Sequence, residues 1–142
     1  MLQIFYHNID FSPDGQLLST SSALVTDDGT GYLTSSSSSP LTNEAVIYDA
    51  NTGAQVTSFT HGEEDENIVA VAFHPDGQRF ATLTYAGNVY VWDIESGERL
   101  ASGKTRYDPT YFLRFTPDGQ QMIVWGDDGF SLAFLDSDTG DE

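Results

Sequence analysis

The segment HGEEDEN at 61–67 sets four consecutive carboxylates, Glu63, Glu64, Asp65 and Glu66, beside a histidine. Such a run can collect cations loosely, but a block of like charge reads first as a solvated loop. DSDTGD at 136–141 places Asp136 and Asp138 at alternate positions, as a calcium loop does, yet the third expected oxygen ligand falls on Gly140. The three histidines, His7, His61 and His74, are far apart and lack a ligand spacing such as His-x-x-x-His. No Gly-x-Ser-x-Gly, phosphate-binding loop or dinucleotide fingerprint occurs, and GTG at 29–31 is a turn with no helix after it. The expectation is a chain with no catalytic residue, no cofactor and no metal site.

The residues that recur do structural chemistry instead. Phe-x-Pro-Asp-Gly-Gln is written three times, as FSPDGQ, FHPDGQ and FTPDGQ, with Pro13, Pro75 and Pro117 separated by 62 and 42 residues. Proline presets φ at the first central position of a turn and glycine supplies the positive φ that closes it. Asp14 and Gly15, Asp76 and Gly77, and Asp118 and Gly119 are therefore read as turn residues. A second signature follows each copy: YDANTG, WDIESG and LDSDTG. Its aspartates Asp49, Asp93 and Asp136 lie 44 and 43 residues apart, and it closes on Gly53, Gly97 and Gly140. A period in the low forties predicts a repeat architecture.

Short β-rich runs lie between the turns. The middle repeat shows four: IVAVAF (68–73), RFATLT (79–84), NVYVWD (88–93) and RLAS (99–102). No segment has helical period. IVAVAF is apolar at every position rather than every second one, which predicts a strand covered on both faces. Four-stranded sheets stacked around an axis provide that environment, so the expected fold is all-β, built of propeller blades rather than a sandwich.

The middle repeat, VAVAFHPDGQRFATLTYAGNVYVWDIESGERL with its Trp92-Asp93 dipeptide, resembles a repeat of the WD-repeat β-propeller family, and the likeness recurs in three phased copies over almost the whole chain. The resemblance implies about three four-stranded antiparallel blades. The first would run from about 4 to 60 with an insertion at 23–40, the second from about 66 to 103, and the third from about 109 to 140 without its outer strand. It also implies a hydrogen-bonded set per blade, formed by His, Ser or Thr, Asp and Trp. His61, Thr84 and Trp92 could fill three of those roles, but the Asp position reads Ala86. Asp128 stands in the third repeat with no His before it. On this reading the set is incomplete everywhere, and His61 is expected in a solvated loop.

Gly15 to Tyr48 spans 33 residues where Gly77 to Trp92 spans 15, and the excess falls at 23–40. TDDGTG predicts a small extra hairpin within 24–34, and the serine run 35–39 has little to bury. Asp27, Asp28, Tyr32 and Leu33 make this insertion a candidate partner-binding element, since functional contacts concentrate on loops.

Twenty-two acidic residues face five basic ones, a net charge of −17. That charge repels a phosphate backbone and an anionic membrane surface, so neither nucleic acid nor membrane is an expected partner. It fits either plain solubility or adaptation to high salt. With no cysteine, no signal peptide at the start and no apolar run of membrane-spanning length, a cytoplasmic location is expected. The expected function is non-catalytic: a protein-interaction scaffold completed by a second copy of itself or by another chain. The alternative is part of a quinoprotein-like propeller enzyme with a ligand in its channel. Those repeats place Trp shortly after the Asp-x-x-Thr-Gly turn, where this chain has Thr57 and Ala101.

Overall fold

The computed structural model describes residues 9–21, 26–27, 33–34, 44–61, 68–106, 110–126 and 131–142. Every element among them is a strand. β1 (Ile9–Phe11), β2 (Leu17–Ser21), β5 (Glu44–Asp49) and β6 (Gln55–Thr60) form the first antiparallel sheet in that spatial order. β7 (Ile68–Phe73), β8 (Arg79–Thr84), β9 (Asn88–Asp93) and β10 (Arg99–Lys104) form the second as a simple meander. β11 (Thr110–Phe115), β12 (Gln121–Gly126) and β13 (Leu132–Asp136) form the third. A separate two-stranded hairpin pairs β3 (Thr26–Asp27) with β4 (Leu33–Thr34) inside the inserted stretch of the first blade.

Turn chemistry explains the meanders. The Phe-x-Pro-Asp-Gly turn joins the first two strands of each blade, and its glycine takes φ near +73° at Gly77, where a side chain would be strained. In the first two blades the Asp-x-x-x-Gly turn joins the next pair at the same end of the sheet. The two turns of a blade are tied together by one repeated backbone bond: Ala50 N to Gln16 O at 2.8 Å, Ile94 N to Gln78 O at 2.9 Å and Ser137 N to Gln120 O at 3.0 Å. The inner strands of the second and third blades also share an irregularity at matching positions, between Ile68 and Ala70 and between Thr110 and Phe112.

Strand alternation sends each second residue to a different neighbouring blade. Val71, Phe73 and Phe80 face the first blade, where they pack with Ala45, Ile47 and Phe59. Ala70, Ala72, Ala81 and Leu83 face the third, where they meet Leu113, Met122, Val124 and Leu135. The all-apolar β7 is thus buried on both sides, as a blade between two blades requires. The close approach of the second and third blades continues to the outer strand, where a Cβ on Gly103 would overlap the Gly140 carbonyl.

His61 departs from expectation. It is not in a solvated loop but 8% exposed. Its Nε2 lies 2.8 Å from Thr82 Oγ1, which also accepts the Trp92 Nε1–H at 3.0 Å. The His61 ring stacks on Trp92 and meets Tyr90 edge-on. The hydroxyl in this set belongs to Thr82, not Thr84. Phe80 pairs directly with Trp92, so the residue two further along β8 reaches the indole. Thr84, at the strand end, instead accepts the Asn88 N–H at 3.0 Å and holds the β8–β9 turn. Thr82→Val keeps the shape and removes the hydroxyl that His61 Nε2 and the Trp92 Nε1–H share. A loss of about 2 kcal/mol is expected in denaturant unfolding, whereas Thr84→Val should cost about half as much.

Candidate interaction surfaces

The turn end carries a series of ionised carboxylates. Asp14 Oδ1 accepts the Ser12 hydroxyl at 2.6 Å and the Gln16 N–H at 3.0 Å, and Asp118 repeats this with Thr116 and Gln120. Asp49, Asp93 and Asp136 each accept backbone N–H groups of their own turn, led by Thr52, Ser96 and Thr139 respectively. These bonds hold all five carboxyls below the usual range. The aspartates, prolines and glycines of both motifs thus lie in turns at one end of the blades. Trp92 differs, being on β9 in the buried set above.

The turn of the middle blade does more. His74 stands where the others carry Ser12 and Thr116, and it is buried. Its Nε2 lies 2.9 Å from Gly119 O of the third blade, and the ring meets Phe115 edge-on. Ser137 Oγ donates to the same carbonyl at 2.6 Å. Arg79 bridges Asp76 at 2.8 Å and Asp138 at 2.7 Å, joining the two blades. Gly119 has φ +73°, and a Cβ there would overlap the His74 ring. Partial burial opposes charge on Asp76. The Gln78 N–H and Arg79, with His74 beside them, overcome this and hold its carboxyl at about 2. A carboxyl held below its unfolded value adds stability above that value and loses it as pH falls through the folded one. Relative to Asp76→Asn in molar salt, the wild type should therefore lose roughly 1 kcal/mol between pH 4 and pH 2, after allowance for solvent screening. Parallel acid titrations of the two proteins, followed by urea melts, measure it.

Among the described residues, large apolar side chains are exposed on two blade faces. In the third blade Phe112 (51% exposed), Trp125 (47%), Leu132 (50%) and Phe134 (47%) line the face turned away from the second. In the first blade Ile9, Phe11 and Val56 are exposed on the opposite side of the stack. Of the inserted residues, Asp27 and Leu33 pair across β3 and β4, while Asp28 and Tyr32 lie outside the described residues, as do the acidic run 62–67, Asp128 and the serine run. Among the described residues no three His, Asp or Glu side chains gather as a metal would need, and no helix is long and apolar enough to cross a membrane. Sequence reasoning missed the His74 clasp, and it missed Asp10, whose carboxylate accepts the Phe73 N–H of the next blade at 2.8 Å. The one signal was His74 breaking a Ser/Thr position.

Three turn-linked sheets stacked face to face define the architecture, and the family comparison agrees with it. The family model of the anaphase-promoting complex subunit 4 WD40 domain matches residues 23–112, more than half of the chain. The chain belongs to the WD-repeat β-propeller family. It is 39% identical over 80 residues to the target of rapamycin complex subunit wat1 of Schizosaccharomyces pombe, covering 54% of this chain and 24% of that protein. It is 31% identical over 77 residues to the pre-rRNA-processing protein crb3/ipi3 of the same yeast, covering 54% and 17%. It is 32% identical over 68 residues to WD repeat-containing protein 1 of Gallus gallus, covering 46% and 11%. This WD-repeat chain therefore spans a quarter or less of the length of these relatives. The β-propeller domain of Myceliophteria thermophila Cps50 (Swd1) superposes with a TM-score of 0.67 over 95% of this chain and 37% of that one. At 15% identity that likeness shows the fold alone.

Proposed function

We propose that the chain is a non-catalytic scaffold whose exposed blade faces are covered by further blades, from a second copy, from another chain or from a longer form of this one. The carrying observation is the apolar surface of Phe112, Trp125, Leu132 and Phe134, presented on the face that in the middle blade is fully buried. Contiguous exposed apolar surface of this kind marks association sites. Membership of a family whose named relatives include a subunit of the target of rapamycin complex supports the same reading. The aspartate-rich turn end would then remain solvated and keep the assembly soluble. Sedimentation velocity over a salt series, with dye binding to exposed apolar surface, tests it. Association, or dye binding lost on adding a partner, is expected. A compact monomer that binds no dye and no protein at any salt concentration overturns it.

A further inference from the structure

Four of the five basic residues, Arg99, Lys104, Arg106 and Arg114, fall within 99–114, where Asp108 is the only acid, although the chain as a whole carries −17. That stretch begins with β10, the outer strand of the middle blade, which pairs with β9 alone. Arg114 lies on the third blade, and Arg106 pairs with Glu142 at 3.6 Å. Arg99 and Lys104 stand on β10 itself. Both are exposed, and among the described residues neither has a carboxylate within ion-pair distance. Arg99 instead lies over the Tyr90 ring, 5.2 Å from its centroid.

Strand register puts the two cations on one side. Arg99, Ser102 and Lys104 pair with Trp92, Tyr90 and Asn88, so all three share the face turned towards the first blade. Ala101 and Gly103 take the other face, where Gly103 lies against the Gly140 carbonyl. The Thr105 N–H donates to Gly87 O at 2.9 Å. Antiparallel bonding alternates, so the N–H and C=O groups of Ser102 and Lys104 point away from β9, to the free edge. The outer strand of the first blade has the same register, including an irregularity that sets Val56 where β10 has Leu100. Its edge is neutral, with Gln55, Ser58 and Thr60 at the positions of Arg99, Ser102 and Lys104. The cations therefore belong to one edge and are not a requirement of the architecture.

Independently of what covers the blade faces, we propose that the edge of β10 takes an acidic extended segment of a partner protein as a fifth strand, with a carboxylate at each end of a five-residue stretch. Main-chain bonds to Ser102 and Lys104 supply the pairing, and Lys104 and Arg99 meet the two carboxylates. Lysine and a bulge on an edge strand ordinarily discourage pairing. Here they discourage a basic strand and the β10 of a second copy, whose cations would face these. An acidic strand is the exception. The net charge of −17 repels it from the rest of the surface, which directs it to this edge.

The probe is a fluorescein-labelled peptide, Thr-Asp-Val-Thr-Val-Asp-Thr, whose β-branched residues favour the extended form. It is titrated with the chain and followed by anisotropy in 0.15 M KCl, where screening over about 8 Å limits repulsion from the turn carboxylates. Saturable binding is expected. Lys104→Glu and Arg99→Glu, both on the exposed rim, should each weaken it at least tenfold while the chain still unfolds cooperatively, and the double variant should abolish it. The same peptide with lysine in place of aspartate should not bind. N-methylation of the central threonine keeps the charge but removes the donor to Ser102 O, and should weaken binding at least tenfold. No saturable binding, binding that survives the double variant, or equal binding of the N-methylated peptide overturns the proposal. Self-association in sedimentation velocity that Lys104→Glu removes would assign the edge to a second copy and overturn it too. None of these outcomes decides the scaffold reading, which rests on the blade faces.

Discussion

Phe80→Ala is expected to lower the unfolding free energy by about 3–5 kcal/mol. Phe80 is completely buried, and its ring lies 5.5 Å from Phe59 and 5.3 Å from Phe73. It is the residue where the backward face of the middle blade enters the first. Truncation removes the transfer free energy of a phenyl ring and leaves a cavity between two sheets held apart by the neighbouring aromatics, so collapse cannot fill it. Against a total stability of about 5–15 kcal/mol this is a large fraction, equivalent to a midpoint lower by roughly 10–20 °C. The matched control is Phe112→Ala, the same change on a ring that is 51% exposed, where a loss below about 1 kcal/mol is expected. Urea unfolding of both variants measures the contrast. Similar losses would mean that Phe112 is buried in solution, and an unaffected Phe80→Ala would contradict the packing between the first two blades.

The second large effect is that of salt. The midpoint of thermal unfolding is expected to rise by about 10 °C or more between 0.05 and 2 M KCl. Charge of −17 is carried on 142 residues, and the turns concentrate carboxylates at one end while stabilising their ionised forms. Asp14, Asp49, Asp93, Asp118 and Asp136 all have lowered pKa values through local hydrogen bonds. They cannot relieve their repulsion by taking up protons near neutral pH. Five basic residues are too few to neutralise them, and Arg79 and Arg106 are already paired with carboxylates. The screening length falls from roughly 10 Å at 0.1 M to 3 Å at 1 M, which weakens repulsion between exposed carboxylates. Chloride rather than sulfate keeps the test electrostatic, since sulfate also strengthens apolar burial. Equal midpoints in dilute and concentrated KCl would leave the acidity as a matter of solubility only.

How far the sequence reached depended on distance along the chain. Pro-Asp-Gly and Asp-x-x-x-Gly set their turns from within four or five residues, because proline's φ, glycine's positive φ and an aspartate accepting its own turn's N–H groups are local. Those turns, the period they mark and the unbroken apolar run of β7 were enough to imply stacked blades, and the excess between Gly15 and Tyr48 was enough to suggest the β3–β4 hairpin. Partners between blades were a different matter. His61 reaches Thr82, and His74 reaches Gly119, only because two sheets lie face to face. Nothing within a few residues of either histidine names its partner. The choice of Thr82 over Thr84 followed from strand register, which spacing alone left open. Ala70 and Phe112 occupy equivalent positions in equivalent strands, yet one is sealed and the other half exposed. Which face meets a neighbour is a property of the stack, because burial of a strand residue is set by the sheet placed against it and not by the strand itself.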